Sequence, residues 1–141
     1  MRAIPFFLIL LFIGCGLEMV PEAVHQSFSQ KYPGVGSVQW GIDKNGYYEA
    51  HFKWEGVKLR ADFTVDGNWV ETESSILFND LPEAVKAAIE KAYSKKDIEE
   101  IERTDHHQKG VFYDVEFKSK GVEKFDVEFA EDGSVLAKKR R

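Results

Sequence analysis

One cysteine in 141 residues rules out an internal disulfide and any metal site built from several thiolates. Four prolines and 11 glycines are too few for a collagen-like or low-complexity chain. Bases are in the minority. The 19 Lys and Arg face 24 Asp and Glu, a net charge of −5, and a body of that sign repels phosphate, so no nucleic-acid partner is expected. The sequence has no Gly-rich phosphate loop and no Ser nucleophile elbow. No enzyme activity and no cofactor are therefore expected. Against these shortages stand 11 Phe, 5 Tyr and 3 Trp within a chain that is 43% hydrophobic. That excludes disorder and supplies a core for one ordinary domain or two very small ones.

The longest apolar run, Ala3 to Ile13, follows the single charge of Arg2. It is too short to cross about 30 Å of hydrocarbon, which takes roughly 20 helical residues. Residues 1–15 read as a secretory signal peptide and stand outside the fold. The run ends in Leu11-Phe12-Ile13-Gly14-Cys15, which resembles the bacterial lipobox, with Phe12 where that pattern prefers Leu. The resemblance implies lipidation of Cys15 and an exported, lipid-anchored protein of the periplasm or outer membrane. Plain signal cleavage and an uncleaved anchor are the alternatives. The basic tail Lys138-Lys139-Arg140-Arg141 reads first as a solvated, frayed end, and second as an attraction to anionic lipid.

The rest is written twice. Val20-Pro21-Glu22-Ala23-Val24 is echoed by Leu81-Pro82-Glu83-Ala84-Val85, and Tyr32 by Tyr93. Tyr48 and Phe52 match Tyr113 and Phe117, and Phe63 with Asp66-Gly67 matches Phe129 with Asp132-Gly133. This is read as a tandem duplication, unit one at 20–73 and unit two at 81–139. Each unit opens with a helix, because Pro fits the first turn and Glu favours the positive end of the dipole. Val20, Val24, Phe28 and Tyr32 form one apolar stripe, and Leu81, Val85, Ile89 and Tyr93 another. The second helix is expected to end near Ser94 to Lys96.

Four strands are expected after each helix, the first of them short, around Trp40 and Ile101. Strict alternation in 48–54, 57–65, 113–118 and 124–129 means one buried and one wet face. Glu55-Gly56 and Asp66-Gly67 read as two-residue hairpin turns. The first turn sets Trp54 opposite Val57, Phe52 opposite Leu59 and Tyr48 opposite Phe63. The second pairs Val65 with Asn68, so Val70 points inward and Trp69 outward. Phe117 opposite Phe125 requires a longer loop around Lys120-Gly121-Val122. The expected fold is α+β, a tandem repeat of a helix packed on a four-stranded antiparallel meander sheet. A lone unit of about 60 residues is marginal, so the two should pack or join sheets. The connector at 73–80 carries Ile76, Leu77 and Phe78, too apolar for a free linker.

These motifs together — the lipobox-like cysteine, two Pro-Glu-Ala-Val helix starts, the Tyr-x-Val/Ala-x-Phe strand and the late Asp-Gly hairpin — resemble the PepSY-like family of small exported bacterial proteins. That family's fold is similar to the tandem repeat of beta-lactamase inhibitory protein. The resemblance implies an inhibitor-like or binding role outside the cytoplasm, exercised through the open sheet face.

Adjacent His106 and His107 beside Asp105 are the most metal-like group, but neighbours on a strand point to opposite faces, and they read as a wet hairpin loop. Glu99, Glu100 and Glu102 read as a solvated strand edge. The more informative positions are those expected on the outward face: Tyr47, His51, Lys53, Arg60, Asp62, Trp69, Phe112, Glu116 and Val135. Aromatics mixed with charges are what a protein-binding patch contains, although single exposed apolar residues are also normal. The expected function is a binding module of the cell envelope with a protein partner, of the inhibitor type against a peptidase or beta-lactamase. The alternative is an envelope protein holding a small ligand or glycan in the cleft between units, which a deep apolar pocket there would favour.

Overall fold

Two amphipathic helices lie on one face of a single antiparallel sheet of eight strands in the order β1 to β8, in a computed structural model that describes residues 19–118 and 124–140. Helix α1, Glu22–Lys31, is followed by β1 (Val38–Ile42), β2 (Tyr48–Trp54), β3 (Val57–Phe63) and β4 (Trp69–Ser75). A single 3-10 turn at Phe78–Asp80 leads into α2 (Glu83–Ala92). Then come a second such turn at Lys95–Asp97 and the strands β5 (Ile98–His106), β6 (Gly110–Lys118), β7 (Lys124–Ala130) and β8 (Val135–Arg140). Cys15, residues 120–122 and Arg141 lie outside the described residues.

Pro21 and Pro82 sit at the helix N-caps, where a missing N–H costs nothing. The Pro21 carbonyl receives the amides of Val24 and His25 at 3.0 and 3.1 Å. Both stripes are buried as their spacing requires. Val24, Phe28 and Tyr32 pack against Tyr48, Ala50, Phe52, Ala61 and Phe63. Leu81, Val85 and Ile89 pack against Ile101, Tyr113, Val115, Phe117, Val127 and Phe129. The first core is a ring cluster, with Phe28 edge-on to Phe52 at 4.8 Å. Helix α2 ends at Ala92, a little before its expected end, and Tyr93 turns back to stack on Phe117 at 4.6 Å.

The first hairpin has the expected register: Tyr48 faces Phe63, Phe52 faces Leu59 and Trp54 faces Val57. Positive φ at Glu55 (49°) and Gly56 (86°) is the signature of the twisted two-residue turn. Phe117 likewise faces Phe125. Strand β4 pairs directly with β5, so the sheet runs unbroken through both halves.

The Asp66-Gly67 hairpin departs from expectation. Thr64 N–H donates to the Asn68 carbonyl and Gly67 N–H to the Thr64 carbonyl, both at 2.9 Å, enclosing a three-residue loop. Three residues instead of two shift the pairing by one, and a one-residue shift turns every side chain over. Phe63 therefore faces Trp69, and a bulge restores the register so that Asp62 faces Glu71. Ala130, Gly133 and Ser134 repeat this loop, placing Val135 opposite Phe129. Both glycines need their lack of a side chain twice over. Each has φ above +80°, and a Cβ on Gly67 would lie 2.5 Å from the Ala23 carbonyl oxygen of α1; Gly133 meets Ala84 of α2 in the same way.

Two further expectations are corrected. Strand β5 is nine residues long and central, so Glu99, Glu100 and Glu102 are not on a sheet edge. His106 and His107 do not diverge, because the strand ends at His106; their rings stack at 4.6 Å.

Candidate functional site

Alternation leaves one face of the sheet without a helix among the described residues, and the cross-strand registers arrange its side chains in rows. One row reads Glu49, Asp62, Glu71, His106. The next reads Gln39, His51, Arg60, Glu73, Thr104, Phe112. A third reads Glu102, Asp114, Glu128, Ala137, and a fourth Glu100, Glu116, Asp126, Lys139. Like charges directly opposite on neighbouring strands are destabilising. This face holds three such runs of carboxylates side by side.

Cations are threaded among them. Arg60 is the hub of the first half. Its guanidinium lies 2.8 Å from Glu73, 3.2 Å from Asp62, 3.6 Å from Glu71 and 3.9 Å from Glu49. Asp62 is almost completely buried and takes two hydrogen bonds from Arg60. Glu73 Oε2 meets Arg60 as an ion pair without the alignment of a hydrogen bond. One guanidinium cannot offset four carboxylates. Burial, opposed by Arg60 and reinforced by Glu102, Glu71 and Asp62, pushes the Glu73 carboxyl up to about 8. Burial likewise raises Asp62 to about 6 against the pull of Arg60.

In the second half Lys109 and Lys139 both reach the buried Glu128. Burial alone would raise that carboxyl, but the hydrogen bonds from Lys139 and Lys109 hold it below its ordinary value. Lys124 joins Glu99 and Glu116. Glu100, Glu102, Asp114, Glu116 and Asp126 surround a small pit. Among the described residues no group of three or more His, Cys, Asp or Glu is placed to hold a metal ion.

Of the residues expected outward, His51, Lys53, Arg60, Asp62 and Glu116 are brought together on this face by β2, β3 and β6. Tyr47 is half-buried in the loop ahead of β2, its amide held by Asp43 at 2.8 Å. Phe112 faces outward but is covered, with the Lys109 ammonium 4.9 Å above its ring. Trp69 and Val135 are corrections: the three-residue loops place both on the helix side. Trp69 packs against the first core, donates from Nε1 to the Thr72 hydroxyl at 2.9 Å and carries Lys31 of α1 over its ring at 3.6 Å. Val135 remains half-exposed there. The face is therefore charged rather than aromatic. Sequence reasoning missed Glu71, Glu73, Glu102, Asp126 and Glu128. Their signal was the same alternation that named Arg60 and Asp62, carried one strand further.

Two concavities border these rows. A groove of about 570 Å³ runs over β1 to β5, lined by Ser37, Gln39, His51, Lys53, Lys58, Arg60, Glu73, Ser75 and Glu102 among others. A cleft of about 800 Å³ opens where the connector leaves β4, between Ile76, Leu77 and Phe78 on one side and Ile98, Glu99 and Lys124 on the other.

The chain is similar to several solved structures. A DUF2874 family protein from Bacteroides ovatus ATCC 8483 superposes with a TM-score of 0.78 at 22% identity, over 87% of this chain and 89% of its own. A structure described as "putative periplasmic proteins" from Bacteroides eggerthii DSM 20697 gives 0.77 at 21%, over 86% and 89%. A BLIP-like protein from Bacteroides fragilis NCTC 9343 gives 0.75 at 23%, over 89% of both chains. At these identities the likeness establishes a shared fold. No curated protein matches the chain. Residues 46–137, more than half of the sequence, match the family model described as "Putative beta-lactamase-inhibitor-like, PepSY-like", and the chain belongs to that PepSY-like family.

Proposed function

We propose that this protein is an exported binding module of the bacterial envelope that grips a protein partner through the helix-free face of its sheet, acting by binding rather than by catalysis. The observation that carries the reading is the stacking of like-charged residues in cross-strand rows on one broad face. Such rows are destabilising where cations do not offset them, and the exposed His51, Lys53 and Lys118 on the same face present charge to a partner. An inhibitor-like role is in keeping with the family's description and with the fold shared with a BLIP-like protein. Export is in keeping with the apolar leader and with the periplasmic description of one structural neighbour.

Anchoring belongs to the same proposal. Acylated Cys15 at the mature N-terminus, read by mass spectrometry, is its signature. Duplication is a further part. The repeated helix starts and the paired Gly67 and Gly133 contacts support an origin of the two halves from one helix-plus-four-strand unit. A small-ligand reading has one observation in its favour, the cleft of about 800 Å³ at the connector with Ile76 and Ile98 in its walls.

Photo-crosslinkers test the main reading in living cells. A crosslinking residue at Gln39 or Lys118, on the open face, is expected to trap a protein adduct, and one at Ser29 on α1 is not. Equal trapping from both sides, or none from the open face, refutes it.

A further inference from the structure

Among the cations on the open face, two are unlike the rest. Arg60, Lys109, Lys118, Lys124 and Lys139 each lie within ion-pair distance of at least one carboxylate. Lys53 and Lys58 do not, among the described residues. Both are exposed, and the β2–β3 register sets them directly opposite each other, with Cβ atoms about 5 Å apart. The next pair on the same face is His51 and Arg60, and each of these has a carboxylate beside it, Glu49 at 3.6 Å and Asp62 at 3.2 Å. Two ammonium groups side by side without a counter-charge cost stability. They close the end of the groove of about 570 Å³, where Ser37, Gln39 and Ser75 add neutral hydrogen-bonding groups.

We propose that this groove is the seat for acidic side chains of the partner protein, with a carboxylate held between Lys53 and Lys58. The inference rests on the reading of the open face as a protein-binding surface and supplies its chemistry. Charge complementarity chooses the occupant. Arg60, Lys109, Lys124 and Lys139 each already meet a carboxylate within the chain, whereas neither lysine of this pair meets one among the described residues. An incoming carboxylate gains two charge-assisted hydrogen bonds and relieves the repulsion between the lysines. The surrounding acids then act as a selector, admitting a carboxylate at the lysine end and repelling it elsewhere.

The test uses the full-length chain in nonionic detergent, with hexaglutamate as probe and hexalysine and a hexameric oligogalacturonate as comparisons. Hexaglutamate is expected to bind, to shift the amide resonances of His51, Lys53 and Lys58, and to weaken as salt is raised. The double variant K53Q/K58Q should lose about tenfold or more in affinity for hexaglutamate at a melting temperature equal to or above that of the parent. K91Q, on the exposed side of α2, should bind as the parent does. Absence of hexaglutamate binding, or equal loss in K91Q, overturns the proposal. Tighter binding of the oligogalacturonate overturns it in favour of an acidic glycan. If K53Q/K58Q leaves the crosslinked adducts from Gln39 and Lys118 intact, the groove proposal fails while the open face stands. If those adducts never form, it is the reading of the face that fails.

Discussion

Replacing Glu73 by Gln should stabilise this protein at neutral pH and do almost nothing at pH 5. The carboxyl is mostly buried, lies 2.8 Å from Arg60 and shares that one guanidinium with Asp62, Glu71 and Glu49. Its folded value of about 8 stands above the ordinary 4.5. The native state therefore keeps a proton that the unfolded chain releases above pH 4.5. Stability falls as pH rises through that window, by at most about 1.4 kcal/mol per unit. Across the three units to pH 7.5 the ceiling is about 4 kcal/mol. Arg60 is 31% exposed, and the solvent reaching it screens the cluster, so about 1–2 kcal/mol is the expected effect. Asp62, raised to about 6, adds a contribution of the same sign that is complete above that pH. Glu128 has the opposite sign. Its carboxyl is held low by Lys139 and Lys109, and the stability it contributes is lost on acidification below its unfolded value. Maximum stability should then lie near pH 5. Gln at position 73 copies the shape of the protonated carboxyl and keeps an amide group beside Arg60. Urea unfolding at pH 5 and pH 7.5, with an unchanged m-value, reads the difference. If Glu73→Gln destabilises equally at both values, Glu73 is an ionised partner of Arg60 and the reasoning about overcharging is wrong.

Trp69→Ala should cost about 3 kcal/mol of folding stability, measured by chemical denaturation, because the ring packs on the first core under Lys31. The same substitution should leave hexaglutamate binding unchanged. Gly67→Ala should destabilise by about 2–4 kcal/mol, since φ of +83° and the Ala23 carbonyl both oppose a Cβ. Gly133→Ala should do the same in the second half, and a melting curve for each checks that the two loops are equivalent.

Most of the fold was legible because periodicity and turn chemistry agree. Four-residue spacing named both helices and every buried stripe residue, and Glu55-Gly56 set the β2–β3 register residue by residue. The failure was local. Asp66-Gly67 is compatible with a two-residue turn and with a three-residue turn closed by glycine at positive φ, and the sequence between Phe63 and Val70 reads equally well in either. In the three-residue loop the glycine lies close beneath the first turn of α1, against Ala23, a tertiary contact that no local pattern encodes. That single residue moved Trp69 and, by repetition, Val135 from the open face to the helix side.

The composition of the site follows from the same geometry. Alternation identifies which residues leave the core but not which of them become neighbours. His51, Arg60 and Glu73 are separated by 22 positions yet share one row, because two hairpins fold them into register. The acids of β5 looked like a solvated edge for a related reason. An edge and a centre differ only in whether β4 continues into β5 across the connector, and no local pattern encodes that pairing. Once it forms, Glu102 lies between Ser75 and Asp114, and charges scattered along the chain become a continuous field. Burial then separates its members. Arg60 and Glu128 are satisfied within the sheet, whereas Lys53 and Lys58 at the hairpin end keep their charge facing water. The charges left over after the fold has paired the rest are visible only when the strands are side by side.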